Sequence, residues 1–176
     1  MKEKVPTKEQ SSLKSTILSI VIPVIVTYLF TNYVFGLSRV PTGSMYPTIE
    51  YPSLNAVNHL STEIGSIHRG EIVLFPFPDN PSLTFVKRVI GLPGDTITIH
   101  DGSVYINGSK LSEPYLTVKT LGVFGPFKVP AKHYFVMGDN RNNSDDGRFW
   151  HNKYVARTSI SGEAVFQFWP HWRPIR

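Results

Sequence analysis

The chain of 176 residues contains no cysteine. Disulfides, thiolate nucleophiles and cysteine-ligated zinc are excluded, so any site must use other chemistry. No H-E-x-x-H and no close His/Asp cluster occurs, and no metal or other cofactor is expected. The G-x-S-x-G elbow is missing too, and the six histidines stand in turns or among Lys, Arg and Trp, the usual setting of surface histidines rather than of a catalytic base. Charged residues make up only 18% of the chain, fewer than a typical soluble domain carries. The formal net charge is +5, but the basic residues are scattered and only the first fourteen residues form a basic arm, so the charge does not point to nucleic acid. Internal repeats and low-complexity segments are absent.

One long uncharged run is present. Residues 17–37, ILSIVIPVIVTYLFTNYVFGL, hold no Asp, Glu, Lys or Arg. As a helix they would span roughly 31 Å, the thickness of the ~30 Å hydrocarbon core, and Pro23 is tolerated in a membrane helix. A cleaved signal peptide would have a shorter apolar stretch and an A-x-A site, and a core helix would show a polar stripe. The run is therefore expected to be a transmembrane helix. Lys2, Lys4, Lys8 and Lys14 precede it and only Arg39 lies close behind, which places the N-terminus in the cytoplasm. The expected division is a cytoplasmic basic arm 1–14, an anchor 15–37 and an extracytoplasmic β-rich catalytic domain 38–176.

Beyond the anchor, apolar residues alternate with period two at 71–75, 84–90, 96–100, 103–106, 133–137 and 163–168, and helix signals are nearly absent. His100-Asp101-Gly102 and Asn107-Gly108 sit where hairpin turns belong. With 13 Gly and 14 Pro, the pattern predicts a mainly β fold of antiparallel strands, a partly closed barrel or folded-over sheets, behind one N-terminal transmembrane helix. Residues 116–128 read as a long loop or lip over a groove. The ending FWPHWRPIR fits either the lipid headgroup region or a frayed terminal strand.

Three stretches carry candidate chemistry. In PTGSMYPTIE, residues 41–50, Ser44 is either a turn residue or a nucleophile. Without a histidine base, a serine nucleophile needs a lysine, and lowering a lysine pKa from ~10.4 to ~8 takes roughly 3 kcal/mol of desolvation. In TFVKRVI, residues 84–90, strand alternation puts Lys87 on one face with Phe85 and Val89, although most strand lysines are edge or surface residues. Arg88 cannot be the base, because guanidinium does not deprotonate in proteins. GDNRNNSDDGRFW, residues 138–150, reads as a solvated loop or as a hydrogen-bonded wall holding a site.

Together PTGSMYPT (41–48), RGEIVLF (69–75), KRVIGLPGD (87–95) and GDNRNNSDDGR (138–148) resemble the type I signal peptidases, membrane-anchored serine proteases that remove signal peptides. The resemblance, which extends over most of residues 38–170, implies a Ser/Lys dyad of Ser44 and Lys87. It implies an oxyanion hole from the Thr42 hydroxyl and the Ser44 N–H, and Ser144 hydrogen-bonded to the lysine. It also implies a supporting Asp146–Arg148 ion pair. The implied partners are the signal peptides of exported preproteins, cut after small residues at the first and third positions before the bond, and the lipid bilayer. The chain departs from the pattern at Gly147, where serine is common, at Glu71, where aspartate is usual, and in LNAVNHL (54–60), which lacks a leading acidic residue. It also lacks the long insertion of larger members. Self-cleaving repressors share a similar dyad but are cytoplasmic and carry a DNA-binding head, whereas this chain is expected to begin with a membrane span. A non-catalytic anchored β domain is the reading from another class.

Overall fold

The computed structural model describes residues 8–29 and 34–176. Helix α1 spans Lys8–Leu29, and strand β1, Phe35–Val40, begins inside the run expected to be a single helix. Pairing of Phe35, Gly36 and Leu37 with Asn58, Val57 and Ala56 of strand β2, Ser53–Asn58, takes those residues into a sheet. Lys8, Glu9 and Lys14 leave only residues 15–29 of α1 free of charge, about 22 Å of helix. Among the described residues no helix is long and apolar enough to cross a membrane. Residues 1–7, half of the basic arm, and residues 30–33 lie outside the described residues. Side chains 16–28 are exposed on every side of α1, the apolar ones included.

The rest of the chain is mainly β and antiparallel. After β1 and β2 come β3 (Ile72–Phe77), β4 (Asn80–Gly91), β5 (Thr96–His100), β6 (Ser103–Ile106) and β7 (Ser109–Lys110). Then follow β8 (Phe124–Lys128), β9 (His133–Met137), β10 (Val155–Ala156), β11 (Gly162–Trp169) and β12 (Arg173–Pro174). One sheet runs β1-β2-β11-β3-β4-β9-β10 with β12 beside β11, and a second runs β7-β6-β5-β8. Neither closes, which corrects the expectation of a partly closed barrel. Among the described residues β1 pairs only with β2 and β10 only with β9, which leaves the large sheet with open edges there.

Both expected hairpins form, with Asp101 and Gly102, and Asn107 and Gly108, all at positive φ. That is the geometry a two-residue turn needs to match the twist of its strands. The last five residues of the expected 116–128 loop are instead β8, which pairs with β5 despite its Gly and Pro. The C-terminal segment is not frayed. β12 pairs with β11, and Ile175 is buried in the core with Met45 and Ile49.

The large sheet is buried on both faces around its centre. Ile72, Leu74 and Val86 pack into one cluster, while Val73, Phe75 and Val89 join Trp150 and Val136 in another. Each such side chain contributes roughly 1.5–3 kcal/mol. β4 changes character along its length. From Asn80 to Lys87 it pairs with β3 alone, and from Arg88 onward it also pairs with β9. Lys87 thus stands where the strand gains its second neighbour, at the inner end of an open edge.

Candidate active site

The 41–50 stretch forms a tight turn, with Gly43–Met45 in a 3-10 helix closed by Tyr46 N–H donating to Gly43 O at 3.1 Å. Met45 and Ile49, both fully buried, anchor it from below. The polar loop after β9 holds it from the side. Asn140 Nδ2 donates to Gly43 O at 3.0 Å and Asn140 N–H to Ser44 O at 3.0 Å. That approach requires glycine at position 138, because a Cβ there would meet Ser144 Oγ and lie 2.5 Å from Ser44 O.

Lys87 Nζ lies 2.7 Å from Ser44 Oγ. Strand alternation sets the lysine beside the aromatic group of Phe77, Phe85 and Trp150, with its ammonium nitrogen 5.2 Å from the centre of the Phe85 ring. Only 4% of the residue is exposed. Loss of hydration brings its pKa down to about 8, against the pull of Asp146, Asp145 and Asp139, with Arg148 adding to the fall. Near neutral pH a useful fraction is therefore the free amine, which can accept the hydroxyl proton.

Asp146 and Arg148 form a buried pair, Nε to Oδ1 at 2.8 Å and Nη2 to Oδ2 at 2.8 Å. Arg148 Nη2 also donates to Arg141 O at 2.6 Å, and Gly138 N–H donates to Asp146 Oδ2 at 3.0 Å, so the pair braces the loop against itself. Ser144 differs from its expected role. Its hydroxyl is buried against Gly138 and has no hydrogen-bond partner among the described residues, Lys87 included. Thr42 is exposed, in extended backbone just before the turn, and its side chain caps nothing.

A cleft of about 500 Å³ opens on Ser44 and Lys87. Its long walls are Ser38–Val40 of β1 and Leu83–Val86 of β4, with Thr42 near the serine and Asn143 and Asp145 at the loop end. Both walls are open strand edges, able to pair with an extended peptide. Among the described residues no group of three or more His, Asp or Glu is placed to hold a metal.

The sequence reading missed the groups behind the site. Arg88, on the opposite face of β4 from Lys87, makes a two-point pair with Asp139, Nε to Oδ1 at 2.8 Å and Nη2 to Oδ2 at 2.6 Å, and donates to Gly70 O at 2.6 Å. Arg141 pairs with Glu113 at 2.5 Å, and the Arg88 guanidinium lies 3.8 Å from the centre of the Tyr115 ring. The available signal was a strand followed at once by Gly-Asp-Asn, where the two side chains after the glycine have separate tasks. Asp139 fixes the loop to β4 and Asn140 fixes it to the nucleophile turn.

Residues 13–169 match the family described as signal peptidase, peptidase S26. Signal peptidase I of Leptolyngbya laminosa is 40% identical over 170 residues, covering 93% of this chain and 83% of that protein. Signal peptidase I S of Bacillus subtilis (strain 168) is 39% identical over 177 residues, covering 92% and 94%. The crystal structure of a signal peptidase I from Enterococcus faecalis superposes with a TM-score of 0.52 at 35% identity, covering 58% of this chain and all of that one.

Proposed function

Because the chain belongs to the signal peptidase family, peptidase S26, and is a serine endopeptidase that removes signal peptides, we propose that Ser44 is its nucleophile and Lys87 its general base. The observation that carries this is the buried amine 2.7 Å from the serine hydroxyl. Ser44 Oγ attacks the scissile carbonyl as its proton passes to the neutral Lys87 amine. The resulting ammonium protonates the leaving nitrogen, and water, deprotonated by Lys87 in turn, hydrolyses the acyl-enzyme. The Ser44 N–H and the Thr42 hydroxyl stabilise the oxyanion. Asp146 and Arg148 brace the wall behind the dyad, and Ser144 lies between them and the cleft in the same loop. The signal peptide lies extended between β1 and β4, and alternation along it sends the first and third side chains before the cut into the cleft, where small residues fit. Cleavage of one preprotein by wild type, and none by Ser44→Ala, tests the proposal.

The same reading places the enzyme at a membrane, with the N-terminal segment that includes α1 as the anchor and the catalytic domain outside, its sheet beginning at Phe35 rather than at residue 38. Support comes from the apolar side chains exposed all round α1. An apolar hollow of about 560 Å³ also lies on β1, β2 and β11, lined by Phe35, Leu37, Ala56 and Phe166 among others, near the exposed Trp169 and Trp172. Cysteine-accessibility labelling at residues 5 and 50 from either side of a sealed vesicle checks the orientation.

Activity should follow the free amine of Lys87. With a pKa of about 8, kcat/KM rises tenfold per pH unit below that point and levels off above it. A profile flat from pH 6 to 9 would remove Lys87 as base. Thr42→Val, which keeps the shape and removes the hydroxyl, should lower kcat roughly ten- to a thousandfold with KM little changed. A loss confined to KM would make Thr42 a binding residue instead.

A further inference from the structure

The loop end of the cleft carries a feature that the dyad does not use. Along 143–146 successive side chains alternate in direction. Asn143 and Asp145 are exposed and line the cleft, while Ser144 is turned inward against Gly138 and Asp146 is fully buried. Asp146 is consumed by Arg148 and by Gly138 N–H. Asp145 has no hydrogen-bond or ion-pair partner among the described residues. It is a free carboxylate facing the cleft within electrostatic reach of Lys87.

The direction of the substrate fixes which of its residues passes there. The strand edges of β1 and β4 hold the segment before the cut, and the scissile carbonyl must sit at Ser44 Oγ. The leaving nitrogen must then lie at Lys87 Nζ, which protonates it. The chain after the cut therefore continues beyond the two strand walls, and the cleft's lining groups outside those walls and the nucleophile turn are Asn143 and Asp145 of the polar loop.

We propose that Asp145 sets a charge preference at the first residue after the cut, favouring lysine or arginine there over aspartate or glutamate. The inference rests on the proposed dyad and the direction it gives the substrate. An exposed carboxylate paired with a substrate cation contributes a modest attraction, and an acidic residue at the same place meets a repulsion of similar size. Since the partner is solvent-exposed, the preference weakens as salt screens it.

The test uses the full chain and three versions of one preprotein differing only at the first residue after the cut, as Lys, Ala or Glu. Wild type is expected to prefer Lys over Glu by about threefold to tenfold in kcat/KM at low salt. The ratio should fall close to one in Asp145→Asn, invert in Asp145→Lys, and shrink in wild type at about 1 M salt. Thermal midpoints of the variants, read in parallel, separate a local charge effect from damage to the fold. A Lys-to-Glu ratio that is the same in wild type and Asp145→Asn overturns the inference. Failure of wild type to cleave even the Ala version would instead overturn the proposed function.

Discussion

Ser44→Ala, Lys87→Ala and the double variant are expected to cleave a preprotein at one common residual rate, about four or more orders of magnitude below wild type. Nucleophile and base act on the same proton, so once either is gone the other has nothing left to contribute, and their losses do not add. Single-turnover assays at high enzyme concentration read the comparison. A double variant far slower than either single one would show that the residues act independently. Lys87→Arg should fail as completely, because it keeps the charge and removes the base.

The same lysine predicts a gain. Its pKa falls from 10.5 to about 8 on folding, so below pH 8 the fold holds a proton on a buried amine at a cost of about 3 kcal/mol. As pH rises from 8 to 10.5 the unfolded chain still binds that proton and the folded one does not, so the penalty is progressively relieved. Lys87→Met should therefore be inactive yet more stable than wild type at pH 7, by up to about 3 kcal/mol, and should lose that advantage toward pH 10.5. Denaturant midpoints at the two pH values measure it. A variant less stable than wild type at pH 7 would mean that the amine is not held at a cost.

The largest loss of stability is expected at Asp139. Asp139→Ala leaves the Arg88 guanidinium, 2% exposed, without its counter-charge, and breaking one side of such a buried pair costs about 3–5 kcal/mol. Catalysis should fall with it, because Asp139 stands between Gly138 and Asn140, the residues that meet Ser44. The companion variant Arg88→Met/Asp139→Leu removes both charges and should recover most of the stability. Urea midpoints of the two variants separate the charge effect from the packing effect. A double variant no more stable than Asp139→Ala would place the energy in the aspartate's shape rather than its charge.

The strand 96–100, buried on one face, was legible in the sequence because that burial imposes period two on its side chains, whereas 72–75, buried on both faces, is a continuous apolar run recognised by its length and flanking turns. β8 was not, since FGPFK carries two residues that strands usually avoid and is held by pairing with β5. β1 was hidden differently. An uninterrupted apolar run looks alike whether it ends in a helix or crosses into a strand, and only the distant partner β2 decides. Ser44 and Lys87 stood out by residue type and surroundings. The pairing of Arg88 with Asp139 did not, because the two lie 51 residues apart and each has an ordinary local explanation. The resting place of Ser144 depends on the close approach of two loops, which no local pattern records.

Lys87 and Arg88 are neighbours in β4 with opposite tasks, one facing Ser44 and the other Asp139. Sliding β4 by one residue against β3 would exchange them, presenting a permanently charged guanidinium to the serine and a lysine to the aspartate. Such a slip would also exchange the buried faces of Val86 and Val89, so packing and chemistry hold the same register. β4 thus works as a ruler. The alignment of Lys87 with Val73 and of Arg88 with Met137 measures out the placement of the proton acceptor, and the β3 and β9 ladders that carry the fold also keep that measure.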